Sequence, residues 1–219
     1  MELVLKRMLR WRNLKEIIEV FFMYLYGASG HAKVIAEILL ENGIEIEGVF
    51  DDDTSFTSFF NLPFLGTLSD MDLNSKLIVS IGDNVIRKTI TQKLSTIFGK
   101  AISKNAHISS SASIDEGTVI MKGVSINADT TIGKHVILNT NCSIDHDCRI
   151  GDYVHVSPNA ALAGNVIVKE GTHIGTGVCI IPGIIIGNWT TIGAGTVVLK
   201  NVPDNAVVVG NPGRIIKYK

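Results

Sequence analysis

Between Ile108 and Val198 every sixth residue is aliphatic: Ile108, Ile114, Ile120, Ile126, Ile132, Leu138, Ile144, Ile150, Val156, Leu162, Val168, Ile174, Ile180, Ile186, Ile192 and Val198. An α-helix spaces its apolar residues by three and four, and a half-buried strand by two. A period of six fits neither and is the repeat of a parallel β-helix. The position four residues further on is also restricted, running Ala112, Thr118, Val124, Thr130, Val136, Cys142 and Cys148 through to Thr196. With both kinds of side chain directed inward, each hexapeptide supplies one short strand and one turn of a narrow prism. Three hexapeptides close a coil, so residues about 18 apart stack. Glycines at 117, 123, 171, 177, 183 and 195 fall three after the aliphatic, where a corner demands φ > 0.

The chain has 219 residues and a formal net charge of −1, with no arginine- or lysine-rich stripe beyond the first 15 residues. That balance argues against nucleic acid as a partner. Three cysteines, an odd number without CxxC spacing, fit a reducing cytoplasm. Cys142 and Cys148 occupy successive inward positions and read as core. Residues 1–22 scatter Lys6, Arg7, Arg10, Arg12 and Lys15, and the apolar run Val20 to Tyr26 is far below a membrane span. Neither a secretory signal nor stable membrane insertion is expected. Residues 1–22 read as a dispensable extension before a first strand at Met23, with an amphipathic membrane-surface helix as the alternative.

From Met23 to about Lys100 strands alternate with helical patterns. Tyr24-Leu25-Tyr26 runs into Gly27-Ala28-Ser29-Gly30-His31, Ile44 to Phe50 ends in Asp51-Asp52-Asp53, and Leu77 to Ile81 ends in Gly82-Asp83-Asn84. Such alternation implies a parallel sheet whose ligands bind beyond the carboxyl ends of its strands, where all three polar clusters fall. The predicted organisation is a Rossmann-like α/β domain over 23–104, a parallel β-helix over 105–203 and a tail over 204–219, with Pro203 breaking the register.

The GASG loop lets backbone N–H groups and a helix N-terminus face an anion, and Asp51, at the end of the second strand, suits a sugar hydroxyl. An ordinary tight strand–helix turn explains the same glycines, but loop, acidic cluster and Gly82 together favour a nucleotide. The histidines at 31, 107, 135, 146, 155 and 173 show no pair five residues apart, so the zinc arrangement of one class of β-helix proteins is set aside and no metal is expected. His107, His135 and His173 read as surface residues, with His155 and His173 stacked on one face. His146 lies in Ser143-Ile144-Asp145-His146-Asp147-Cys148 and should point outward between two carboxylates. A carboxylate on one ring nitrogen raises the basicity of the other, as general-base chemistry needs. A solvated surface histidine looks the same in sequence.

YGASGH, VFDDD, IGDNVIRK, LNTNCSIDHDCRIGDYVHVSPNAALAGNV and VVVGNPGR, in that order from Met23 to the tail, resemble the bacterial nucleotide-sugar acetyltransferases of the bacillosamine pathway and their sialic acid O-acetyltransferase relatives. The resemblance implies a left-handed β-helix of the hexapeptide-repeat acyltransferases. It implies that Ser29, Gly30 and His31 hold the diphosphate region of a UDP-amino-sugar, that Asp51 and Asp52 hold the uridine end, and that Gly82 lies nearby. It makes His146 the general base with Asp147 as its partner, turns His155, Thr176 and Ala194 toward acetyl-CoA, and implies a homotrimer with clefts between neighbouring coils. Asp147 is shorter than the glutamate of many relatives, and Ala194 replaces a glycine. The expected activity is acetyl-CoA-dependent N-acetylation of a sugar 4-amino group. The alternatives are O-acetylation of a sugar such as sialic acid and a non-catalytic β-solenoid scaffold with a nucleotide-sensing cap.

Overall fold

A computed structural model describes residues 22–55, 57–70 and 76–219; apart from Phe22, the expected extension lies outside them. The N-terminal unit comprises β1 (Phe22–Tyr26), α1 (Gly30–Glu41), β2 (Glu45–Phe50), a small hairpin of β3 (Ser58–Phe59) and β4 (Leu62–Pro63), β5 (Lys76–Val79), α2 (Asn84–Lys93) and β6 (Ile97–Phe98). β2, β1, β5 and β6 lie side by side in that order and all run parallel. Helix α1 forms because Ala32, Ile35, Ala36, Ile38 and Leu39 share one buried face. It stops at Asn42-Gly43, where Gly43 takes φ 75° and the Ile44 N–H closes on the Leu39 carbonyl. Asp83 caps α2 by accepting from the N–H groups of Val85 and Ile86.

The remainder is a left-handed parallel β-helix of three faces. One face stacks Val119, Ile137, His155, His173 and Thr191; the next stacks Ser125, Ser143, Ala161 and Cys179; the third stacks Thr131, Arg149, Ile167 and Ile185. Fourteen of the sixteen ladder aliphatics are buried. Ile108 and Ile114 are partly exposed because each is the edge strand of its face. The third residue after each aliphatic, from 117 to 195, takes positive φ whether it is glycine or, as at Asp147, His135 and Trp189, is not. The corner geometry therefore imposes the left-handed conformation, and glycine only makes it cheaper.

Two boundaries differ from the sequence reading. The ladder starts one hexapeptide earlier, because Ala101–Ile102 pairs with Val119–Ile120 inside the span assigned to the N-terminal unit. It also survives Pro203: the last coil is shortened, so that Ile186 opposes Val202 and Ile192 opposes Val208. Ala206–Val209 thus belongs to the coil, and Arg214–Tyr218 folds back on it as an antiparallel hairpin. Among the described residues no helix is long and apolar enough to cross a membrane.

The N-terminal unit is docked on the first face. Ala101, Val119, Met121 and Ile137 point outward from the coil yet are buried in one cluster with Ile35, Ile38, Leu39 and Met23. Burying each large side chain contributes about 1.5–3 kcal/mol, so this seam holds the N-terminal unit on the coil. It is laced at its edge by Asn42 Nδ2 on the Ile102 carbonyl at 2.7 Å and by Lys122 on Glu41 at 2.7 Å.

Candidate active site

The glycine loop is built as the sequence reading expects, with one change in the part played by Asp51. Its carboxylate accepts from the Ala28 N–H at 2.6 Å and the Asp53 N–H at 2.9 Å, so it shapes the loop from within. Asp52 accepts from the buried Tyr26 hydroxyl, and burial together with that carboxylate pushes the phenol well above its ordinary range. Ser29 sits at the N-cap of α1 but makes no side-chain cap. Space is open around Gly30 and Gly82, where an added Cβ would meet nothing within 4 Å.

His31, Gly82 and His155 converge beside this loop, beyond the part of the first face that α1 covers. The His31 and His155 rings are 6.2 Å apart, and His155 stacks on His173 at 5.0 Å with an interplanar angle of 6°. The stacking follows the 18-residue register as expected. His31 Nε2 is buried without a hydrogen-bond partner among the described residues. His135 contradicts its reading as a surface residue: it is 3 % exposed, wedged edge-on against Phe98 and flat against Tyr153. Gly117, one coil earlier, makes the space, since a Cβ there would lie 2.0 Å from the His135 ring.

Burial depresses His31 to about 4, His135 to about 4 and His155 to about 3; Arg87 adds to each, and His173 adds further at His155. These imidazoles are neutral in the folded chain but titrate near 6.5 once unfolded. Below about pH 6.5 the unfolded chain therefore binds more protons, so stability is full above that pH and falls as pH drops toward 4. The urea midpoint should be lower at pH 5 than at pH 7.5, and His135→Phe should flatten that slope. A midpoint indifferent to pH across this window would contradict the burial of these rings.

His146 stands on another corner, between the second and third faces. Asp147 takes φ 60° at the corner and brings its carboxylate to 2.7 Å from His146 Nδ1. Asp145 anchors the same corner, accepting from the His146 N–H and from Asn127 Nδ2. The Asp147 hydrogen bond, then the Asp145 charge, raise the imidazole above its ordinary pKa. The ring lies over Gly164, whose added Cβ would come within 2.8 Å of Nε2. Gly164 was missed in the sequence reading, although its place 18 residues after His146 marks it. Nε2 has no protein partner among the described residues, and His146 lines a shallow cleft with His107, Ser125, Asn127 and Ala128.

Within one chain the fold keeps these groups apart. His155 lies on the first face, exposed Thr176 and Ala194 share the corner between the first and second faces, and His146 and Asp147 occupy the corner after that. Cys142 and Cys148 are buried as expected, with the Cys142 thiol raised by burial to about 12. Among the described residues no group of three or more metal-ligating side chains converges.

Residues 23–94 match the family described as PglD N-terminal domain, and residues 129–164 match the bacterial transferase hexapeptide (six repeats). A mutant of perosamine N-acetyltransferase from Caulobacter crescentus, solved with CoA and GDP-perosamine, is 36 % identical and superposes with a TM-score of 0.85 over 89 % of this chain and 96 % of that one. The acetyltransferase domain of PglB from Neisseria gonorrhoeae FA1090, solved with acetyl coenzyme A, is 34 % identical with a TM-score of 0.83 over 90 % and 99 %. WeeI from Acinetobacter baumannii AYE is 29 % identical with a TM-score of 0.81 over 89 % and 99 %. The chain spans about a fifth of the length of a curated relative that it matches at 37 % identity, Uncharacterized protein L142 of Acanthamoeba polyphaga mimivirus. The chain belongs to the family of left-handed β-helix sugar N-acetyltransferases that carry the PglD N-terminal domain.

Proposed function

We propose that this chain transfers the acetyl group of acetyl-CoA to the 4-amino group of an amino-deoxy sugar carried on a nucleoside diphosphate, UDP being the first choice, with His146 as general base. The observation that carries this reading is the His146–Asp147 pair: a carboxylate fixes Nδ1 at 2.7 Å and leaves Nε2 free above Gly164. Asp147 holds the proton on Nδ1, so Nε2 presents a lone pair of raised basicity. The amine nitrogen bonds to the thioester carbonyl carbon, its proton passes to Nε2, and the carbon–sulfur bond breaks with the electron pair leaving on sulfur. Holding both substrates in line supplies much of the acceleration. An acyl-cysteine route is disfavoured by the burial of Cys142 and Cys148.

In this reading Ser29, Gly30, His31 and Gly82 receive the nucleotide-sugar diphosphate, Asp51 shapes their loop and Asp52 lies toward the nucleoside. His155, Thr176 and Ala194 face acetyl-CoA. The site is completed in a homotrimer in this reading, because within one chain His146 and the nucleotide loop stand apart and a neighbouring copy would bring them together. The setting is cytoplasmic.

Gly30→Val tests the nucleotide half of the site. Space around Gly30 is open, so the larger side chain leaves the free fold undisturbed and obstructs only a ligand approaching the backbone. UDP binding should weaken by about tenfold or more, roughly 1.4 kcal/mol, with CoA binding unchanged in parallel titrations. Equal loss of both ligands would contradict this placement.

A further inference from the structure

Arg87 is 1 % exposed and touches no carboxylate among its hydrogen-bond partners. Its five N–H groups find five acceptors. Nε donates to the His135 carbonyl at 2.9 Å, Nη1 to the carbonyls of Ile81 at 2.9 Å and Gly82 at 3.2 Å, and Nη2 to Asn84 Oδ1 at 2.8 Å and the Tyr153 carbonyl at 2.9 Å. Two acceptors thus belong to the loop after β5, two belong to stacked corners of the coil, and the fifth starts α2. Fastening a helix to a coil does not require a buried cation. An apolar contact of similar volume does so without several kcal/mol of desolvation. Neighbouring groups already hold α2 to the coil, since Asn84 Nδ2 donates to the Gly171 carbonyl at 3.1 Å and Lys88 pairs with Glu170. What the planar fork adds is a fixed direction for two loop carbonyls at once.

The direction matters because the Gly82 carbonyl also faces His155 Nδ1, at 3.3 Å. On the other side of that ring, Asn139 Oδ1 accepts from the Thr140 N–H at 2.8 Å, which turns Asn139 Nδ2 toward His155 Nε2 at 3.2 Å. Nε2 is then an acceptor, and the proton of the neutral ring sits on Nδ1 and is donated to Gly82. A single line of hydrogen bonds runs from Thr140, on the corner shared with Thr176 and Ala194, through Asn139 and His155 to the Gly82 carbonyl, and Arg87 clamps its far end.

We propose that Arg87 is a positioning residue which sets the Gly82 loop against His155, so that it governs chiefly how the nucleotide sugar is seated and reaches acetyl-CoA only indirectly, through His155, leaving Thr176 and Ala194 untouched. The proposal rests on the functional reading above. The charge is retained in the folded protein: burial lowers the guanidinium to about 10, still above the working range of a histidine base.

Arg87→Lys keeps the cation and removes the fork, while Lys88→Met loosens α2 without touching the loop. For Arg87→Lys, the KM for the nucleotide amino-sugar should rise about tenfold or more, with the KM for acetyl-CoA changed less than about threefold; Lys88→Met should show no such split. In the ¹⁵N spectrum of histidine-labelled parent, His155 should be neutral with its proton on Nδ1, and Arg87→Lys should shift that ring toward the Nε2–H tautomer. An equal rise in both KM values together with a lowered Tm would reduce Arg87 to a domain fastener and overturn the proposal. If Arg87→Lys does not fold, the parent spectrum still decides, because a proton on His155 Nε2 overturns it alone. A parent that binds neither UDP nor CoA overturns the functional reading and this proposal with it. A parent that binds both, with the variant showing no split, overturns only the assignment of Arg87.

Discussion

His146→Ala should lower kcat by about 10²–10⁴-fold, the usual contribution of a positioned base, with little change in the KM for acetyl-CoA. The ring stands at an exposed corner, over Gly164 and hydrogen-bonded to Asp147, so its loss leaves the coil intact. A group that acts mainly in the transition state does not alter ground-state binding. The pH profile adds a second readout. The base must be unprotonated, and the Asp147 hydrogen bond raises its pKa, so the parent's rate should fall as pH drops through a value above the ordinary 6.5. Asp147→Asn should cost less in kcat and move that limb toward lower pH, and His146→Ala should abolish the limb. His155→Ala should behave differently: that ring is neutral across the working range, so the pH limb should stay in place. A near-normal kcat for His146→Ala on a sugar the parent acetylates would remove the base from this mechanism.

Ile150→Asp should prevent folding. Ile150 is 3 % exposed and is stacked between Ile132 and Val168 in the middle of the third face. An aspartate there enters the apolar core of the prism, and burying it unpaired costs several kcal/mol, comparable with the whole stability of a domain. Each coil of a solenoid is stabilised by its two neighbours, so a broken middle coil strips support from both sides. Ile114→Asp makes the same change at an edge strand that is already partly exposed. It should give a folded protein with a lowered Tm. Circular dichroism and size-exclusion chromatography of the two variants separate these outcomes, and an Ile150→Asp protein that melts like the parent would break the assigned register.

The ladder could be read without coordinates because each coil repeats the same two demands, a large aliphatic on the strand and a small residue before the next strand. Its ends were harder. Ala101–Ile102 carries the same spacing but is preceded directly by a strand of another sheet, and the shortened last coil hides Val202 and Val208 from any fixed period. His146 and Asp147 were legible because adjacent residues at a corner must project together. His135 was misread because its burial comes from Phe98 and Tyr153, contacts that no local pattern displays. Gly117 and Gly164 were the available signals, each 18 residues from the ring it accommodates. Asp51 was placed correctly at its strand end, but only the folded loop shows both of its oxygens turned to backbone N–H groups. Arg87 sat in the IGDNVIRK motif unremarked, since five carbonyl and amide acceptors from separate parts of the chain leave no trace in composition.

Acetyl transfer itself is the direct test of the proposed activity. Purified parent protein would be given acetyl-CoA with UDP-, GDP- and dTDP-linked 4-amino sugars, their 4-hydroxy counterparts and free sialic acid, with CoA thiol release followed and the product challenged with hydroxylamine. A 4-amino nucleotide sugar should give rapid thiol release, and a product that survives hydroxylamine because the acetyl group is held as an amide. Transfer only to hydroxyl acceptors, giving a hydroxylamine-labile ester, or no thiol release with any acceptor, would contradict the proposed activity.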